Sequence, residues 1–128
     1  MHIGEAAAAS GVTAKMIRHY ESIGLITSAH RTDSGYRSYE EEDVNVLRFI
    51  KRARMLGFAI RDIGGLLALW RDRSRPSAEV KRMALAHIAE LDAKIAELQG
   101  MRDTLHHLAR NCRGDSRPTC PILEDLAG

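Results

Sequence analysis

Between Ser77 and about Arg110 the chain contains no proline, and its only glycine there is Gly100. Apolar residues recur at Ala84, Ile88, Leu91, Ile95, Leu98, Met101, Leu105 and Leu108, in steps of 4, 3, 4, 3, 3, 4 and 3. That spacing is close to the heptad seam of a coiled coil. About 34 residues rising about 1.5 Å each make a helix of roughly 50 Å. In a chain of 128 residues, too little is left to cover such a stripe. The stripe is therefore expected to pair with a second copy, giving a homodimer joined through residues 77–110. The competing arrangement folds the helix back on its own lobe, and the length argues against it.

The residues before it read as one small helical lobe. Ile3 to Ser10 forms a short Ala-rich helix, and a second helix starts from the N-cap residue Thr13 and runs through Met16, Ile17 and Tyr20 to Ile23. Gly11 turns between them, which makes a helix-turn-helix pattern. The turn signal Asp33-Ser34-Gly35 within Leu25 to Tyr39 predicts a two-stranded wing. The acidic run Glu40 to Asp43 opens a third helix with the stripe Val44, Leu47, Ile50 and Ala53, which Gly57 stops. A fourth helix is expected from Ala59 to about Trp70, with Ile60, Ile63, Leu66, Leu67 and Trp70 on one side, although it must run through Gly64-Gly65. The partition is 1–70 for a winged helix-turn-helix domain, 71–76 for a linker, 77–110 for the dimerisation helix and 111–128 for a loop with a short terminal helix.

Composition narrows the function classes. Lys and Arg number 19 against 17 Asp and Glu, a net charge of +2, so a nucleic-acid role must rest on where the charges sit. Two cysteines are too few for a disulfide scaffold, a four-cysteine zinc site or an iron–sulfur cluster. The start Met1-His2-Ile3-Gly4-Glu5 has no basic stretch followed by an apolar run, and no segment approaches the roughly 20 apolar residues of a membrane span. A cytoplasmic protein with reduced thiols is expected. No Ser/His/Asp set, phosphate loop or catalytic carboxylate pair is recognisable, so an enzyme is not expected.

Two constellations carry chemistry. On the second helix Thr13, Lys15, Arg18 and His19 offer donors at an exposed face, while Met16, Ile17 and Ile23 form its apolar back. Arg31, Tyr36 and Arg37 in the wing, and Arg54 at the end of the third helix, add charge and an aromatic ring. Lys and Arg neutralise phosphates and read guanine edges, so this set predicts double-stranded DNA binding. Singly, each is equally well a solvated surface charge.

The second constellation is Cys112 and Cys120, eight positions apart across a loop containing Gly114 and Pro118. Two thiolates with no third ligand suit a soft monovalent ion, Cu(I), Ag(I) or Au(I). Zinc wants about four ligands, and the loop has no His and one carboxylate, Asp115. Because Cys120 precedes Pro121, it is expected at the N-cap of a terminal helix, whose field lowers a thiol pKa and favours a net negative bis-thiolate complex. Lys81 is a further source of positive field if a dimer brings it close. A reversible disulfide switch and a pair of inert thiols stay open beside this reading.

The motifs Ile3-Gly4-Glu5-Ala6-Ala7, Gly11-Val12-Thr13, Ile17-Arg18-His19-Tyr20-Glu21, Gly24-Leu25-Ile26, Gly35-Tyr36-Arg37-Ser38-Tyr39 and Phe49-Ile50-Lys51-Arg52-Ala53-Arg54 to Gly57-Phe58 together resemble the MerR family of bacterial transcription regulators. The resemblance covers essentially the whole chain. Cys112, Cys120, Pro121-Ile122-Leu123 and Ser77 resemble the copper efflux regulator branch, whereas the zinc, lead and mercury branches typically carry a cysteine where Ser77 stands. Arg113 and Pro118 are departures within the loop. The resemblance implies a mainly α fold with a winged helix-turn-helix, a long antiparallel coiled-coil dimerisation helix and a C-terminal metal-binding loop. It implies DNA contacts from Lys15, Arg18, Tyr20, Tyr36, Arg37 and Arg54. It also implies Cu(I)-dependent activation at promoters whose −35 and −10 elements are spaced too widely, by bending and untwisting the DNA for RNA polymerase. The regulated genes would serve copper efflux and detoxification. The rivals are a thiol-oxidation sensor that binds DNA and a metal-buffering protein that does not.

Overall fold

The computed structural model describes residues 1–27, 30–31, 35 and 37–128, with the backbone alone at residues 30, 31 and 37. The chain divides into two compact units, Met1–Val80 and Lys81–Gly128.

The first unit opens with α1, Ile3–Ser10. His2 caps it: the ring Nδ1 accepts the backbone N–H groups of Gly4 at 3.1 Å and Glu5 at 3.4 Å, donors that the helix itself leaves unpaired. Gly11 ends α1 with φ 75°, and a Cβ at this position would lie 2.5 Å from Lys51 Nζ, so both conformation and space call for glycine. Helix α2, Ala14–Ser22, follows Thr13, whose Oγ1 accepts the Met16 N–H at 3.2 Å as the N-cap pattern predicts.

Two-residue strands β1, His30–Arg31, and β2, Arg37–Ser38, pair antiparallel with His30 opposite Ser38 and Arg31 opposite Arg37. They are the wing expected from the sequence. Most of its turn, Asp33 and Ser34 included, lies outside the described residues. Tyr39 then anchors the chain. Its N–H donates to the Met1 carbonyl and its carbonyl accepts from the Met1 ammonium, both at 2.7 Å, while its hydroxyl donates to Glu21.

Helix α3, Glu41–Met55, begins where the Glu40 N–H donates to Asp43 Oδ2 at 2.8 Å, and carries Glu41, Glu42 and Asp43 in its first turn and Arg52 and Arg54 in its last. Both ends therefore complement the helix dipole. All four predicted stripe residues, Val44, Leu47, Ile50 and Ala53, are buried, and Val46 with them. The Arg48 guanidinium donates through Nε (3.2 Å) and Nη2 (2.9 Å) to the Ala9 carbonyl at the end of α1, tying the two helices. Helix α4, Ile60–Arg71, runs unbroken through Gly64-Gly65, because Ile63 and Leu67 bury completely or nearly so and hold it on the core. Ala6, Val12, Ile17, Tyr20, Tyr39 and the α3 residues complete that core. After α4 the Asp72 carboxylate accepts the N–H and hydroxyl of Ser74, at 2.9 and 2.6 Å, which turns the chain and holds the Asp72 carboxyl below its usual range.

Two apolar residues depart from expectation. Ile23, assigned to the back of the second helix, is its C-cap and is 47% exposed. Trp70, grouped with Ile63 and Leu67 on one side of the fourth helix, is 43% exposed and stacks on Phe49 with ring centroids 4.6 Å apart. Aromatic stacking at the rim replaces core burial there.

Helix α5, Ser77–Asn111, is a single 35-residue helix that makes up most of the second unit and has no buried residue. Along it Ile88, Leu91, Ile95, Leu98, Met101 and Leu105 are between 37% and 63% exposed, and Leu85 is exposed beside them. Helix α6, Pro121–Ala127, closes the chain, with Pro121 in its first turn and Cys120 as N-cap. Among the described residues no helix is long and apolar enough to cross a membrane.

Candidate functional site

Helix α2 presents Thr13, Lys15, Arg18 and His19 on an exposed surface. Its packing against the rest of the unit runs through Ile17 and Tyr20, with Met16 partly buried against the same core. Between the start of α2 and the end of α3 lies a depression of about 410 Å³, bordered by Thr13, Met16, Tyr20, Lys51 and Arg54. Lys51 and Arg54 bring two cations to the depression that Thr13, the N-cap of α2, also lines, and cations there favour anionic oxygens. Tyr20, expected as a DNA contact, is 3% exposed and borders the depression as part of the core. Tyr36 lies outside the described residues, as do the side chains of Arg31 and Arg37, whose backbones form the wing. Lys51 enters the depression through a non-local approach. Its neighbour Gly11 is distant in sequence, so no local pattern reveals the pairing.

The thiol loop belongs to the second unit. Cys112 follows directly on α5, and its N–H donates to the Ala109 carbonyl at 3.2 Å. Cys120 precedes Pro121, and the loop between them brings the sulfurs to 3.7 Å, with the Cys112 thiol donating to Cys120 Sγ. Both cysteines are free and half-buried. A disulfide would need about 2.05 Å. Two metal–sulfur bonds of about 2.3 Å span at most about 4.6 Å, so a small opening would seat a soft ion between the thiolates.

The Cys120 thiol is held below its ordinary pKa, first by the Leu123 N–H at the start of α6, and further by the Cys112 thiol and the Ile122 N–H; partial burial and Glu124 oppose them. The N-cap position predicted from Cys120-Pro121 thus produces the thiolate-favouring field. Among the described residues no group of three or more His, Cys, Asp or Glu side chains is placed to hold a metal. The loop itself brings two sulfurs together.

Inside the loop Asp115 and Arg117 form a compact clamp. Asp115 Oδ1 accepts the Arg117 backbone N–H at 2.9 Å, while Oδ2 accepts Nε at 3.0 Å and Nη2 at 2.8 Å. These bonds hold the Asp115 carboxyl below the usual carboxylate range. Gly114 precedes it with φ 64°. Ser77 opens α5 and is exposed, and so is Lys81 one turn later. Lys81 is separated from Cys112 by about 45 Å along one helix, so a chain cannot bring Lys81 to its own thiols.

A lobe of α1, α2, a β1–β2 wing, α3 and α4, followed by the long helix α5 and a two-thiol loop, has the build of a helix-turn-helix regulatory protein. The chain belongs to the MerR family. Residues 1–69 match the MerR HTH family of regulatory proteins and residues 44–108 match the MerR DNA-binding family. Among relatives, it is 61% identical over 127 residues to heavy metal-dependent transcription regulator 2 of Rhizobium meliloti, covering 99% of this chain and 86% of that protein. It is 43% identical over 128 residues to the HTH-type transcriptional regulator CueR of an Escherichia coli strain, covering 100% of this chain and 95% of the relative. Among solved structures, it superposes with a TM-score of 0.84 on the transcription regulator PbrR691 of Ralstonia metallidurans in complex with lead(II), at 32% identity over 98% of each chain. These relatives are transcription regulators, and the chain is a regulatory protein of their family rather than an enzyme.

Proposed function

We propose that the chain is a cytoplasmic, homodimeric transcription activator that responds to Cu(I), with Ag(I) and Au(I) as alternative monovalent effectors, and controls copper-efflux and detoxification genes. The observation that carries this reading is the thiol pair. Two sulfurs 3.7 Å apart, one of them favoured as thiolate at a helix N-terminus, with no third donor grouped beside them among the described residues, suit a soft ion of low charge. Similarity to a heavy metal-dependent regulator and to CueR supports a metal effector.

In this mechanism Cys112 and Cys120 would hold the ion, which would supply only its affinity for soft thiolate ligands. The helix α6 N-terminus stabilises the resulting negative charge. Antiparallel pairing of α5 with a second copy covers the exposed stripe and carries Lys81 and Ser77 of one chain toward the thiol loop of the other. There Lys81 adds positive field, and Ser77 supplies no thiolate for a divalent ion. Thr13 and, on α2, Lys15, Arg18, His19 and Tyr20, with Arg54 of α3 and Arg31, Tyr36 and Arg37 of the wing, grip promoter DNA. The dimer acts by deforming DNA between widely spaced promoter elements so that RNA polymerase engages both. The effector must bind the activating conformation better than the repressing one.

A second reading is favoured by the same proximity: the thiols need to close only from 3.7 Å to about 2.05 Å to form a disulfide. One experiment separates the two. In vitro transcription from the protein's own promoter is followed across buffered Cu(I), Ag(I), Zn(II) and diamide. Activation by the monovalent ions, lost in Cys112→Ser and Cys120→Ser, is expected. Activation by diamide alone moves the assignment to a redox switch, and activation by zinc overturns the role given to Ser77. Lys15→Ala combined with Arg18→Ala is expected to weaken promoter binding about tenfold or more and to flatten its salt dependence.

A further inference from the structure

We infer that Arg117 is a specificity-determining residue of the thiol loop, because it ties up the loop's one carboxylate, Asp115, and keeps the donor set at two sulfurs. The inference rests on the two-thiolate reading above. It concerns a pair of residues that neither the heptad stripe nor the cysteine spacing accounts for.

The geometry is specific. One residue, Arg117, supplies three N–H donors to Asp115, and they occupy both carboxylate oxygens: the backbone N–H on Oδ1, and Nε with Nη2 on Oδ2. The first of these bonds closes a local turn of the kind Asp side chains make with the backbone two residues on. The other two are charge-assisted bonds from a planar guanidinium. A carboxylate oxygen is a good ligand for borderline and hard divalent ions, and a poor one for soft monovalent ions. Asp115 lies in the same loop as both sulfurs, three positions after Cys112. Released from Arg117, it is the nearest candidate in sequence for a third ligand. Held by Arg117, it is a structural anion. Lysine at this position could not reproduce the hold, since an ammonium lacks the paired N–H geometry that meets Oδ2.

The test compares Ag(I) and Zn(II) affinities, each by competition with a chelator, in the full-length chain. The variants are Arg117→Ala, Asp115→Asn and the double variant, with helix content by circular dichroism confirming that each folds. Arg117→Ala is expected to narrow the Ag(I)-over-Zn(II) preference by about tenfold, the lower end of what outer-sphere partners contribute to metal sites, through a gain in zinc affinity. Adding Asp115→Asn is expected to remove that gain, because a neutral amide oxygen is a weak zinc ligand. A preference unchanged in Arg117→Ala, or a narrowing that persists in the double variant, overturns the proposal while leaving the thiolate pair in place. Ag(I) affinity that stays at the wild-type value after Cys112→Ser and Cys120→Ser instead overturns the two-thiolate reading itself.

Discussion

Ile50 and Leu98 are both aliphatic residues on the apolar stripe of a helix, yet Ile50 is fully buried and Leu98 is 63% exposed. The difference lies in what surrounds each helix. Helix α3 is enclosed by elements of its own unit: α1 on one side, tied by Arg48 to Ala9, and α4 on the other through Ile63 and Leu67. Helix α5 buries nothing of its own. The two stripes have the same kind of sequence pattern and opposite fates, so helical periodicity identifies an inner face without saying which chain supplies the other half. Length bears on that, because a helix of roughly 50 Å exceeds what a small lobe can cover, and the proposed second copy would supply the missing half.

The largest effect should come from breaking the α5 stripe. Ile95→Glu with Leu98→Glu places four charges in the seam of a dimer and removes four covered side chains, each contributing about 1.5–3 kcal/mol when buried. Sedimentation should then report a monomer, and the helix signal should fall as an unsupported α5 frays. A variant that stays dimeric with full helicity would show that the stripe is not the seam.

The opposite substitution sharpens the contrast. Leu47 is completely buried in α3, and Leu47→Ala should cost about 2–5 kcal/mol of the first unit's stability. Denaturant unfolding followed by Trp70 fluorescence should shift its midpoint accordingly, with dimer assembly by sedimentation unchanged. Loss of the dimer in this variant would mean that α5 pairing depends on the N-terminal core, contrary to the division into two units.

The features legible in the sequence are those that repeat along one element. The α3 stripe, the Thr13 cap, the unbroken span of α5 and the N-cap position of Cys120 all follow from local spacing. What escaped was non-local or non-periodic. Val12 and Tyr39 are buried by elements far along the chain. The approach of Lys51 to Gly11 and of Arg48 to Ala9 joins residues about forty apart. Ile23 was misplaced because a C-cap continues the helical spacing after the helix has ended. Trp70 shares the stripe of α4 without being buried, because a last-turn aromatic can satisfy its face by stacking at the rim. At the candidate site, the two sulfurs were readable from their spacing and the proline after Cys120. The Asp115–Arg117 clamp was not, since two residues two apart in a loop follow no period.

The smallest expected effect tests the field at the thiol loop. The Leu123 N–H at the start of α6 is the main reason that the Cys120 thiol titrates below its ordinary value. In metal-free Cys112→Ser protein, alkylation of Cys120 by iodoacetamide should therefore rise at a lower pH than for an unfolded chain. Leu123→Pro removes that donor within the first turn of α6, where proline is tolerated, and should move the profile back toward higher pH. The linkage has the same sign. A thiol with a folded pKa below its unfolded one stabilises the loop fully above the unfolded value, and that contribution is lost as pH falls through the folded value. The loop should thus loosen as the medium becomes more acidic, and less so in Leu123→Pro, which has less to lose. Coincident profiles for the two proteins would show that the start of α6 does not set the reactivity of Cys120, and the case for a bis-thiolate poised at a helix N-terminus would lose its electrostatic basis while keeping its geometry.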